Sequence, residues 1–177
     1  MPAVAGVLGG CRVESSATGT FAPKTLTPAQ NDLVATLGEL IIPETDTPGA
    51  RAARVNEFID RMLTDWYAAD DREQFLAGLA TVDPKAQEVA GKPFMDLSAD
   101  EQNQVLSAME EEAAAWRTAL QEGNGDPANP PFFNLIKQMT LFGYYTSEVG
   151  AAQELRVMPM GRYDGAVPYA EIGRAWS

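Results

Sequence analysis

Cys11 is the only thiol in the chain, and there is no histidine. Together these facts bound the chemistry open to it. Histidine is the commonest general base near neutral pH and the commonest transition-metal ligand. Without it, and with one sulfur ligand, zinc, haem and iron–sulfur sites lack their usual donors. Nor does any Gly-rich loop open a helix in the manner of a phosphate or dinucleotide site. A self-sufficient enzyme is not the expectation; a variant of that reading, catalysis by carboxylates alone, would show as dye reduction with sugars by the isolated chain. Cys11 instead points to processing. Leu8-Gly9-Gly10-Cys11 follows small apolar residues and precedes a Ser/Thr/Gly-rich stretch. This is the pattern of a bacterial lipobox, which makes Cys11 the lipidation candidate. A secretory signal also needs a basic start and an apolar run of about 7–15 residues, and no Lys or Arg precedes Cys11. The segment reads either as a signal with a truncated start or as a chance pattern in an Ala/Gly-rich terminus.

The remaining polar clusters have structural readings. Glu110-Glu111-Glu112 falls on a helix, where consecutive side chains diverge, so a solvated face is expected rather than a cation site. Asn124, Asp126 and Asn129 lack the spacing and closing Glu of a calcium loop and read as a turn. Asp70, Asp71 and Glu73 suit the first turn of a helix, where the dipole favours negative charge. Met158 and Met160 read as packing residues. Aromatic residues are more telling. Phe132-Phe133, Phe142, Tyr144-Tyr145, Tyr163, Tyr169 and Trp176 crowd the last third of the chain. Adjacent pairs cannot share one helical face, so core and partner contact are both open for Phe132, Phe133, Tyr144 and Tyr145.

The elements that position these residues are helical. Thr27-Pro28-Ala29-Gln30 is a capping box opening a helix with Leu33, Val34, Leu37, Leu40 and Ile41 on one face, ended by Pro43. A second helix carries Val55, Phe58, Ile59, Met62, Leu63 and Trp66; a third starts near Asp70 with Phe75, Leu76 and Leu79. Pro84 opens a short helix closed by Gly91. Ser98-Ala99-Asp100-Glu101 caps a long one through Leu120, and a last helix runs from about 131 to Val149. No alternating strand pattern appears, which predicts an all-α class, a bundle of five to six helices. After Glu154 the periodicity stops while apolar and aromatic residues persist, interleaved with Gly and Pro. Three parts follow: 1–25, signal remnant and flexible spacer; 26–154, helical domain; 155–177, an irregular arm that packs on this core or on another chain.

At 177 residues and 45% hydrophobic, the chain has the material for one core. No apolar run approaches the roughly 20 residues of a membrane span. Its net charge of −12 opposes nucleic acid and anionic lipid, so membrane contact is expected only through a lipid anchor or a partner.

Several stretches, in order, resemble the gluconate 2-dehydrogenase subunit 3 family. They are Leu26-Thr27-Pro28-Ala29-Gln30 leading to Ile41-Ile42-Pro43, Asp46-Thr47-Pro48-Gly49-Ala50 and Glu57-Phe58-Ile59-Asp60. The C-terminal part adds Thr146-Ser147-Glu148-Val149-Gly150, Glu154-Leu155-Arg156, Gly161-Arg162-Tyr163-Asp164-Gly165, Val167-Pro168-Tyr169 and Ala175-Trp176. The resemblance implies a small non-catalytic subunit of a periplasmic or membrane-bound dehydrogenase that oxidises sugars, sugar acids or glycosides. It implies FAD in a large partner subunit of the glucose-methanol-choline type, no cofactor in this chain, a possible cytochrome c subunit, and twin-arginine export of the folded pair. The twin arginines are absent here, and Ala166 stands where relatives are expected to carry Cys. On this reading Arg156, Arg162, Tyr163, Tyr169 and Trp176 join the two aromatic pairs as partner-interface candidates. The rival from another class is a free-standing helical lipoprotein of the cell envelope, whose arm would cover its own core.

Overall fold

The computed structural model describes residues 21–155 and, beyond them, residues 165, 166, 168, 170 and 173. Among the described residues there are six α-helices and no strand: α1 (Pro28–Ile41), α2 (Val55–Asp65), α3 (Ala69–Leu79), α4 (Val82–Ala90), α5 (Ala99–Gln121) and α6 (Phe132–Tyr145). A 3-10 turn, Phe94–Asp96, precedes α5, and a π turn, Gly150–Glu154, follows α6. Both capping boxes form. The Gln30 amide donates to Thr27 Oγ1 at 3.2 Å while the Thr27 amide donates to Gln30 Oε1 at 2.9 Å. Ser98 and Glu101 repeat the exchange at the start of α5. Each box satisfies orphan amides that would otherwise weaken a helix end. Gly91 closes α4 at φ 75°, a left-handed value that costs glycine little.

Two boundaries differ from the sequence expectation. Helix α4 starts at Val82, with Pro84 in its first turn, where a missing N–H leaves no gap. Helix α6 stops at Tyr145 rather than Val149. The hydroxyls of Thr146 and Ser147 donate to the Phe142 and Tyr144 carbonyls at 2.6 Å each, taking up acceptors at the helix end. The chain then folds so close to α6 that a Cβ on Gly150 would collide with the Tyr144 carbonyl.

Helix α6 is the centre of the bundle, packing against α1, α2, α3 and α5. Leu37, Ile59, Leu63, Phe75, Val105 and Ile136 are nearly inaccessible around it. Burying one such side chain contributes about 1.5–3 kcal/mol relative to leaving it in water. Two glycines let helices approach closely. A Cβ on Gly78 would lie 2.6 Å from the Phe132 ring, and one on Gly143 would lie 2.7 Å from Phe58.

The segments that flank the bundle among the described residues are fastened to it on both sides. Asp60, 1% exposed on α2, accepts the amides of Lys24, Thr25 and Leu26 at 2.8, 3.0 and 2.8 Å. Thr25 Oγ1 also meets Thr64 Oγ1 at 2.7 Å. Lys24 and Thr25, expected in the flexible spacer, are therefore bound to the fold. At the other end Tyr144 donates to the Pro48 carbonyl, and Thr47 to Glu154 Oε2, both at 2.7 Å. Burial pushes the Tyr144 phenol's pKa up, which keeps it a donor.

Candidate functional site

Four sequence-predicted aromatic candidates lie in α6, and the structure divides them. Phe132, Phe133 and Tyr144 are 7%, 5% and 1% exposed. Of the two readings left open for them, core and partner contact, these three side chains pack in the bundle, because a helix enclosed by four others has core on more than one side. Phe132 meets Phe75 edge-on at 5.4 Å between centroids, and Lys137 lies over the Phe133 ring at 5.2 Å. Tyr145 remains at the surface, its ring edge-on to Tyr144. Cys11, Arg156, Arg162, Tyr163, Tyr169 and Trp176 lie outside the described residues, as do Met158 and Met160.

An apolar groove of about 160 Å³ runs between α2 and α6. Phe58, Met62 and Tyr67 form one wall; Leu135, Met139 and Phe142, with Gln138, form the other. Phe142 is 58% exposed and tilts against Phe58, the ring centroids 5.7 Å apart. The helical spacing that puts Gly143 and Tyr144 inward puts Leu141, Phe142 and Tyr145 outward. Trp66, at 80% exposure, extends the apolar surface at the end of α2. The sequence places Trp66 on the buried face with Leu63, but α2 ends at Asp65 and Trp66 leaves the helical register. Contiguous apolar patches on a surface mark contact sites, where aromatic residues are enriched.

One groove residue, Tyr67, lies within the field of an acidic turn. Asp65, Asp70, Asp71 and Glu73 are exposed around the α2–α3 turn, against Arg61 and Arg72 in the same stretch. Burial, then the Asp71 charge, raises the Tyr67 pKa, so the phenol stays neutral beside the carboxylates.

Elsewhere the charged groups pair within the chain. Glu110 takes Arg117 at 2.9 Å and Lys137 at 3.1 Å, joining α5 to α6. Glu112 points to α4 instead, meeting Lys85 at 2.7 Å. The consecutive carboxylates thus diverge. Asp126 folds back on Ala128 N and Asn129 Nδ2, making a turn. A larger cleft of about 590 Å³ lies among α3, α4, α5 and the loop before α6. Its lysine, Lys85, is neutralised by Glu88 and Glu112, so the cleft is poorly suited to a pyrophosphate. Among the described residues no three of His, Cys, Asp and Glu are grouped to hold a metal ion, and no helix is long and apolar enough to cross a membrane.

Fold and groove together define a helical protein that presents an uncovered aromatic face. The chain belongs to the gluconate 2-dehydrogenase subunit 3 family, whose pattern matches residues 28–165. The match takes in all six helices and the fastened π turn. The family is that of an accessory subunit of a dehydrogenase complex and implies association with a larger catalytic subunit. No individual curated protein and no solved structure matches the chain.

Sequence reasoning missed several positions that build this site. Phe58 and Met62 read as core from their spacing. Phe142 stood among the clustered aromatics but not among the interface candidates. The signal available was its offset from Ile136 and Gly143, roughly a quarter to a third of a turn around the helix, which puts it at the edge of the buried face beside Met139. Asp60 gave no local signal, because its partners are 34–36 residues away along the chain.

Proposed function

We propose that this chain is the non-catalytic small subunit of a periplasmic, FAD-dependent dehydrogenase of the glucose-methanol-choline type. The complex oxidises a sugar, sugar acid or glycoside. The small subunit stabilises the flavoprotein, and brings it through the membrane or keeps it there. The observation that carries the reading is the aromatic groove between α2 and α6 in a chain of this family.

The physical argument is one of division of labour. Dinucleotide sites place a pyrophosphate on Gly-rich backbone at a helix N-terminus after a strand. The described residues contain no strand, and the cleft of about 590 Å³ sets two carboxylates around its lysine. These residues are a poor match to a pyrophosphate cradle, which supports the reading in which the flavin and the substrate pocket lie in the larger subunit. What this chain offers is apolar surface. Phe142 and Trp66 cost solvation when exposed, and covering them with a complementary surface contributes about 25 cal/mol for each Å² removed from water. Aromatic anchors of this kind carry a large share of binding energy at interfaces. Residues 155–177 act with the groove, continuing from a point fixed by the Thr47–Glu154 bond. A cytochrome c accepts the electrons in the same assembly, and lipidation at Cys11 provides its tether.

Co-expression with an FAD-dependent dehydrogenase subunit from the same genome is the direct test. The full chain is expected to co-purify with that subunit and raise its soluble yield, and deletion of 155–177 is expected to abolish co-purification. Unchanged complex formation after the deletion would remove the arm from the interface. A flavoprotein equally soluble and active without this chain would overturn the stabilising role.

A further inference from the structure

We infer that the groove between α2 and α6 receives an apolar segment of the larger catalytic subunit, and that basic residues beside that segment meet the carboxylates at the α2–α3 turn. The inference rests on the proposed small-subunit role and names the surface that performs it. Phe58, Met62, Tyr67, Leu135, Met139 and Phe142 line the groove. Tyr145, one helical turn on from Phe142, is also exposed, and Trp66 precedes the groove residue Tyr67 in the chain, so Phe142 is not the one uncovered aromatic of this region among the described residues. Gly143 deepens it, since α6 lies near enough to α2 for the Phe58 ring to occupy the space a Cβ would need.

Charge selects among occupants. Around the turn, Asp65, Asp70, Asp71 and Glu73 outnumber Arg61 and Arg72, and the whole chain carries −12. A second copy docking face to face would bring one acidic turn toward another, since a two-fold contact uses the same patch twice. Like charges brought together in this way oppose association. An anionic lipid surface meets the same repulsion. A segment with apolar side chains and flanking Lys or Arg satisfies both parts of the surface: the groove takes the apolar groups, and the carboxylates speed the encounter.

The test uses the full chain in complex with its flavoprotein, with dissociation constants measured for wild type, Phe142→Glu, Phe142→Ser and the double charge reversal Asp70→Lys/Asp71→Lys. Each variant is checked for helical circular dichroism and melting temperature. Both Phe142 variants are expected to weaken the complex at least about 30-fold while keeping the fold. The charge reversal is expected to weaken it about 10-fold at low salt, with the difference shrinking at high salt. Folded Phe142 variants that bind as wild type overturn the inference. If arm deletion dissociates the complex while both Phe142 variants bind as wild type, docking runs through 155–177 and the small-subunit reading stands without the groove. If wild type self-associates, and Phe142→Ser ends that without touching flavoprotein binding, the occupant is a second copy. A wild-type chain that binds no flavoprotein overturns the parent reading and this inference together.

Discussion

On the inner side of the α2–α6 pair, Ile59, Leu63, Ile136 and Tyr144 are shut away from water, and Asp60 gives its carboxylate to three backbone amides. On the outer side of the same two helices, Phe142 and Trp66 keep 58% and 80% of their surface exposed. Both sides are rich in apolar side chains, so hydrophobicity does not separate them. What separates them is completion. The inner apolar groups and the Asp60 carboxylate find partners within the chain, while the outer aromatics find chiefly each other, as Phe58 and Phe142 do. The contrast teaches that one helix can serve stability along one stripe and association along another. A substitution should therefore report which stripe it touches.

The largest expected effect is at Asp60. Asp60→Ala strips the acceptor from three amides, and unpaired buried donors cost about 1–3 kcal/mol each. Because Lys24 and Thr25 are only partly covered, water recovers some of this, and a loss of about 3 kcal/mol in urea unfolding is expected. Next comes Gly143→Val, which drives a side chain into the Phe58 ring; overpacking of this kind costs about 1–3 kcal/mol. It should also shift the groove wall, so that thermal stability and flavoprotein affinity fall together. Phe142→Ser sharpens the comparison from the outer side. Its effect on the melting of the isolated chain is expected to stay within about 0.5–1 kcal/mol, the range of a surface substitution. A larger loss would break the contrast by making Phe142 part of the core.

The smallest effect depends on pH. Burial raises the Glu110 pKa, but the hydrogen bonds and charges of Lys137 and Arg117 outweigh it, leaving the carboxyl below its ordinary value of 4.5. A depressed folded-state pKa contributes stability above the ordinary value and loses it as pH falls through the folded one. Glu110→Gln should therefore cost less than about 1 kcal/mol at pH 7, since the pair is solvent-screened. The difference from wild type should vanish in acid, below the folded-state value. Urea titrations at several pH values measure it.

Much of this fold is legible in the sequence because its cues are local. Thr27 and Gln30, or Ser98 and Glu101, lie within one turn of each other, and Gly91 sits where a helix must stop. The boundary of α6 was harder to read, since Thr146 and Ser147 are neutral by composition and act through hydroxyls turned back on the helix. The site was read only in part. Adjacent aromatics suggest a division between core and surface, which holds at Tyr144 and Tyr145. It fails at Phe132 and Phe133, because what surrounds α6 is set by tertiary packing and not by its own spacing. Asp60 stands in the sequence only as the end of Glu57-Phe58-Ile59-Asp60, and its contacts with 24–26 reveal what it does.

Those contacts also have a mechanical meaning. Three hydrogen bonds converge on one side chain and are loaded together, so a pull on the chain ahead of Phe21 meets them as a unit before it can unwind the first turn of α1. The carboxylate acts as strain relief, as a clamp does where a cable enters its housing. The helical body is thereby insulated from tension in whatever precedes it, and a force probe attached at that end should register a single rupture before any helix yields.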